Sequence, residues 1–269
     1  ISLNDLENYI KDLKKATQVK SDDFEKIYNK TDESRPQLNS NRIQIEDEYY
    51  AVARPKNSSN LDIRMLEKLN TGGIDYIELR SIDLNPFSNI GIDEEMAYFL
   101  EILMIYATFS SSQPMSENEY RISNQNDLNV SIRGREPNLL LSRNGGRVSL
   151  QEWGLEVIKS METLLDSIDV EGNKYLYAIS KAKEKILNVE KTPSDIFLKT
   201  IEDQKIEMLD FGEMKGETYK AQFLKKKIDT NKDWDILDKE VSDSLLKFES
   251  ATTHEKISFD EFLKEYLNS

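Results

Sequence analysis

Apolar residues recur at steps of three and four along most of this chain, and at steps of two only in its first third. Steps of three and four predict helices with one buried stripe, and steps of two predict half-buried strands. Leu6, Ile10, Leu13 and Ala16 place a helix between Asn4 and Gln18, and a short second helix follows Ser21, with Asp22 and Asp23 favouring its N-terminus. Residues 42–45 and 48–54 are β-branched or aromatic and predict two strands with a turn between them, the second ending at Pro55. A polar loop at 57–60 and a helix over 61–69 lead to Gly72-Gly73, a helix stop that opens a strand running toward Phe87. From Asp93 the pattern turns helical. A strongly apolar helix reaches Phe109, residues 110–114 break it, and a helix over 116–132 follows. A Leu-rich strand at 138–142 turns at Asn144-Gly145-Gly146. Leu150, Trp153, Val157, Met161, Leu164 and Ile168 then form the clearest amphipathic stripe, behind a capping box of Ser149 and Glu152. Further helices are expected at 173–188, 193–204 with Thr192 as cap and Pro193 first, 215–227, 233–249 and 258–267, the last with its own box of Ser258 and Glu261. Site strands over 1–90 and a mainly helical 91–269 make an α+β protein.

Composition narrows what such a fold does. The 269 residues carry 36 basic and 50 acidic side chains, a net charge of −14. Nucleic acid and anionic membrane need a basic face, so neither is an expected partner. There is no cysteine, which excludes disulfides and thiol chemistry and fits the cytoplasm. The apolar run from Met96 to Phe109 is short and interrupted by Glu101, so it predicts a core helix and not a membrane span. The start, Ile1-Ser2-Leu3-Asn4-Asp5, lacks the basic and apolar regions of a signal peptide and does not begin with Met.

Candidate chemistry sits on the strand after Gly73. Tyr76, Glu78, Arg80 and Ile82 share one face, and Ile77 and Leu79 suit a core on the other. Glu78 and Arg80 are about 6–7 Å apart at a rise of about 3.3 Å per residue. A carboxylate beside a guanidinium can hold a metal ion and a phosphate together, as phosphoryl transfer requires. The same pair on an exposed strand face is equally an ordinary solvated ion pair. Tyr50, Arg54 and Lys56, spaced by four and two on the preceding strand, share one face, and the two strands with these residues on a shared side suit an open, anion-binding floor. Other motifs carry less. Asp229 to Asp233 with Glu240 imitates a calcium loop but has Trp234 where glycine is needed, and Trp234, Leu237 and Val241 fit a helix. Lys225-Lys226-Lys227 is a solvated helix end, Asn57-Ser58-Ser59 a polar loop, and His254, the sole histidine, a surface residue.

Taken in order, Gln44-Ile45-Glu46, Glu48-Tyr49-Tyr50-Ala51, Arg54-Pro55-Lys56 and the run from Gly72 to Phe87 followed by Gly91-Ile92-Asp93 resemble bacterial glutamate–cysteine ligases (γ-glutamylcysteine synthetases). Gly134-Arg135-Glu136-Pro137 and Thr192-Pro193-Ser194 match weaker segments of that family. The resemblance implies a glutamine-synthetase-like carboxylate–amine ligase fold, of which this chain supplies part of an antiparallel sheet and the outer helices. It implies ATP-dependent joining of the glutamate γ-carboxylate to the cysteine amine through γ-glutamyl phosphate, with Mg²⁺ or Mn²⁺. By matching position, Glu78 is a metal ligand, Arg80 faces the transferred phosphoryl group of ATP, and Tyr50 lines the cysteine pocket. Arg54 and Lys56 lie in the same motif with a phosphate-binding or structural role. Since the family draws its other acidic ligands and a histidine from an N-terminal half, the resemblance makes this chain the C-terminal half, with the missing half as partner. A ligase with a different amine acceptor and a non-catalytic helical scaffold are the competing readings.

Overall fold

A computed structural model of the protein describes residues 1–28, 37–60, 63–168, 173–225, 234–253 and 257–268. The fold is α+β, mostly helical, with two small antiparallel ribbons. The chain divides into two compact units. One unit is Ile1–Ile82 with Lys227–Ser269, and the other is Asp83–Lys226.

The first unit starts with α1 (Leu6–Ala16), whose N-cap Asp5 accepts from Asn8 N, and α2 (Asp22–Tyr28). A 3₁₀ turn at Glu46–Glu48 leads to β1 (Ala53–Lys56). Next come α3 (Met65–Gly72) and β2 (Tyr76–Leu79). Tyr9, Ile10 and Leu13 of α1 pack on Leu66 and Leu69 of α3 to form the core. Gly73 has φ +75 and ends α3, a conformation that glycine adopts freely. Three expected elements are corrected. The strand expected over 48–54 gives way to the 3₁₀ turn at Glu46–Glu48, and β1 covers only Ala53–Lys56, through Pro55. Residues 42–45 do not form a strand. The Gln44 side chain accepts from Leu38 N, and Gln44 N donates to Glu48 Oε2 at 2.6 Å, so local polar bonds bend the segment. The strand expected from Gly73 to Phe87 is only Tyr76–Leu79.

The second unit is built on α4 (Glu94–Phe109), α5 (Glu117–Arg133), the hairpin of β3 (Leu140–Arg143) and β4 (Gly146–Ser149), α6 (Leu150–Ser167), α7 (Asn173–Leu187), α8 (Pro193–Gln204) and α9 (Met208–Lys225). Ile102 of α4, Ile158, Met161 and Leu165 of α6, and Ile179 of α7 form its core. Gly154 lets α6 and α7 approach, because a Cβ there would lie 3.1 Å from Ile186. The predicted Ser149–Glu152 box caps α6, and a second box, Ser116–Glu119, caps α5. Helix α9 begins seven residues before the expected 215 and runs through Gly212 and Gly216. Phe211 is the reason: it is buried edge-on against Phe197 and Phe87, at 5.0 and 6.0 Å between ring centres. Tertiary packing outweighs the helix cost of two glycines.

The remaining helices, α10 (Trp234–Thr253) and α11 (Phe259–Asn268), belong to the first unit. Ser258 and Glu261 cap α11 as expected. Among the described residues no helix is long and apolar enough to cross a membrane, and α4 buries Ile102 in a core.

Leu13 is fully buried between α1 and α3. Leu13→Ala leaves a cavity there and is expected to lower unfolding stability by about 2–5 kcal/mol. Urea denaturation measures it, and a loss below about 1 kcal/mol would contradict the packing described.

Candidate functional site

The site is carried by the β1–β2 ribbon. The antiparallel register pairs Ala53 with Leu79, Arg54 with Glu78, Pro55 with Ile77 and Lys56 with Tyr76. Directly opposed residues share a face, so Arg54, Lys56, Tyr76 and Glu78 lie together. The ladder continues past both ends of β2, with Arg80 N donating to Val52 O at 2.8 Å and Asp75 N to Lys56 O at 2.9 Å. Arg80 is therefore held in register although it lies outside the strand.

Arg54 is only 1% exposed. Its Nη1 donates to Asp47 O at 3.2 Å and its Nη2 to Glu46 O at 3.1 Å, with Met65 Sδ at 3.2 Å and Asp47 Oδ1 at 3.5 Å. A buried charge needs such partners. The guanidinium thus faces inward and grips the turn at Glu46–Glu48. The equally buried Glu46 carboxylate takes a two-pronged contact from Arg64, Nε to Oε1 at 2.9 Å and Nη2 to Oε2. That contact raises the Arg64 pKa above its ordinary value.

At the mouth of the ribbon, Glu78 Oε2 lies 3.1 Å from Arg80 Nη2 and 3.7 Å from Lys56 Nζ. The Arg80 guanidinium bonds the Glu78 carboxylate and lowers its pKa; the nearby charges of Arg80, Lys56 and Arg54 add to this, against a desolvation that raises it. Tyr50 is 72% exposed and precedes β1 instead of lying within it. Its hydroxyl donates to Arg80 O at 3.1 Å, and the Arg80 guanidinium lies 5.6 Å from its ring centre.

Glu78, Arg80, Lys56 and Tyr50 are thus brought together, with Arg54 turned into the interior behind them. The spacing-based expectation of a shared open floor is corrected for Arg54, whose cation is used by two backbone carbonyls. Two participants were missed by spacing. Glu46 and Arg64 are 18 residues apart, and no periodicity connects a turn to the residue ahead of a helix. Among the described residues no group of three or more His, Asp or Glu could hold a metal ion. His254 and residues 229–233 lie outside the described residues.

Comparison with known proteins follows this geometry. The family model described as glutamate-cysteine ligase matches residues 1–130. The glutamate–cysteine ligase of Vibrio campbellii is 33% identical over 270 aligned positions, covering 99% of this chain and 51% of its own length. That of a Janthinobacterium species is 35% identical over 193 positions, covering 71% of this chain and 37% of its own. A crystal structure of the Francisella tularensis glutamate–cysteine ligase in complex with AMP superimposes with a TM-score of 0.87 at 26% identity, covering 99% of this chain and 53% of that one. This chain spans about half the length of the curated relatives it matches.

The ion pairs at Glu78 set a pH dependence. Its folded pKa is depressed, so the stability it contributes is present above the ordinary glutamate value and is lost as pH falls through the lower folded value. Carbon-13 titration of the Glu78 carboxyl is expected to give a midpoint below that of a free glutamate, moving upward in Arg80→Ala. An unmoved midpoint would contradict the pairing.

Proposed function

This chain belongs to the glutamate–cysteine ligase family, and from that premise we propose that it forms part of an enzyme that couples ATP hydrolysis to γ-glutamylcysteine formation, the first step of glutathione biosynthesis, in the cytoplasm. In that reaction a γ-carboxylate oxygen of glutamate attacks the γ-phosphorus of ATP and ADP leaves. The cysteine amine then attacks the acyl carbon, and phosphate leaves as the amine loses its proton. Both steps concentrate negative charge on phosphoryl oxygens, so the protein's task is to align groups and neutralise charge.

The observation that carries the proposal is two cations, Arg80 and Lys56, flanking one carboxylate at the open end of a ribbon. Arg80 presents a planar fork of donors to the transferred phosphoryl group. Lys56 adds a point charge beside it. Glu78 holds both cations in place. Tyr50, fixed to the backbone of Arg80, offers an exposed ring to the cysteine substrate. Arg54 serves as a structural cation. The AMP in the Francisella tularensis complex supports a nucleotide site in the family.

Divalent metal is the weakest fit. Hard cations take six or more oxygens, whereas Glu78 here is a lone carboxylate already facing two positive charges. The described residues do not fit Mg²⁺ or Mn²⁺ by themselves. Ligation by Glu78 is a proposal for the complete protein, with further oxygen ligands from beyond this chain.

In the complete protein, Arg80→Ala is expected to lower kcat by about 10²–10³-fold with an unchanged circular dichroism spectrum. Unchanged turnover would remove Arg80 from the reaction. Residues 1–269 alone are expected to release no phosphate from ATP in the presence of glutamate and cysteine, and steady turnover by this polypeptide would overturn the division of labour proposed.

A further inference from the structure

The chain leaves its first unit for Asp83–Lys226 and then returns to it, and the return ends in α11. Leu263 anchors that helix and is only 5% exposed. Tyr266, further along the same helix, is half-buried, and its ring stacks on Phe262 at 5.9 Å between centres and 26° between planes. The Arg64 guanidinium lies over the Tyr266 ring, 5.2 Å from its centre. The same guanidinium grips the buried Glu46 carboxylate through Nε and Nη2. It can do both at once, because its face meets an aromatic ring while its edge carries the donors. Burial pushes the Tyr266 phenol up, and the Glu46 and Asp47 carboxylates add to that rise against the Arg64 charge. The phenol therefore stays neutral beneath the cation.

Glu46 leads from this stack to the site. Its carbonyl and that of Asp47 hold Arg54, which opposes Glu78 across the ribbon. A cavity of about 620 Å³ beside the stack is lined by Arg64, Phe262 and Tyr266 together with Lys56 and Tyr76 of the ribbon. Helix α11 thus borders the space that Lys56 reaches. We propose that Tyr266 is a positioning residue of the ligase site. Its ring holds the Arg64 fork in the plane that grips Glu46, and so sets the turn on which the places of Arg54 and Glu78 depend. The role belongs to the face of the ring and not to the hydroxyl. Packing alone would ask only for apolar volume, which leucine also supplies. Positioning of Arg64 asks for a π face, which phenylalanine supplies and leucine does not. The inference rests on the ligase reading of the ribbon.

The test assays γ-glutamylcysteine formation by the complete protein as wild type, Tyr266→Leu, Tyr266→Phe, Arg64→Lys and the Tyr266→Leu/Arg64→Lys double variant, with the circular dichroism spectrum of each. Arg64→Lys keeps the charge and loses the planar fork. Tyr266→Leu is expected to lower kcat about fivefold with an unchanged KM for ATP, and Tyr266→Phe to match wild type. The double variant is expected to fall no further than Arg64→Lys alone, since both changes act through one contact. Equal kcat in the leucine and phenylalanine variants would overturn the inference. So would losses that multiply in the double variant, or a raised KM, which would make the ring a substrate contact. A Tyr266→Leu protein that loses its folded spectrum would make the ring a folding element and likewise overturn it. A wild-type protein that forms no γ-glutamylcysteine would instead overturn the ligase reading beneath it.

Discussion

The burial of Arg54 is the constraint on which the site depends. A guanidinium cannot be removed from water without partners, and those available are the carbonyls of Glu46 and Asp47. Meeting that demand pulls the Glu46–Glu48 turn onto β1. The same turn buries the Glu46 carboxylate, which must then be met by Arg64 at the start of α3. Helix α3 ends at Gly73, whose positive φ turns the chain into β2. One cation thus fixes, through a turn, a helix start and a glycine, where Glu78 and Arg80 emerge. Exchanging Arg54 for a smaller residue would leave two carbonyls and a carboxylate network without their organiser, at about 1–3 kcal/mol for each buried group left unpaired.

A ribbon of two four-residue strands is too small to stand by packing of its own. It persists because α1 and α3 supply an apolar core on one side and the Arg54 network pins its register. Register matters more than length, because a slip of one residue would move Glu78 to the opposite face from Lys56. The backbone bonds from Arg80 to Val52 and from Asp75 to Lys56 guard against that slip beyond the strand ends. Val52 and Ile77 nonetheless stay exposed. This is the physical ground for proposing the activity of a complete protein and not of these residues alone.

What the sequence made legible follows the range of the interactions. Helix starts with local caps, at Ser149 and Ser258, are visible because cap and partner lie three residues apart. The grouping of Glu78 with Arg80 and of Arg54 with Lys56 is visible because strands have a period of two. Whether a given member of that face is open or roofed is not visible, since the roof over Arg54 comes from Met65 and a turn eight residues upstream. The run through Gly212 and Gly216 in α9 was hidden for a similar reason, being decided by the burial of Phe211.

The net charge of −14 works against drawing in the anionic substrates that the proposed activity requires. Screening at physiological salt confines each charge to about 8 Å. The sign that a ligand meets is therefore set by the immediate surroundings. There, Lys56 and Arg80 share Glu78, while Arg54 is committed to the turn and to Asp47. The carboxylate is not a mere counterweight. Without it the two cations on either side would repel and spread, and their donors would lose a common direction. With it the cations are aligned, the carboxyl is held ionised, and one positive charge is left unspent. An acidic protein can thus present a small, oriented positive site, and the ion pair that looked like ordinary surface decoration is the device that orients it.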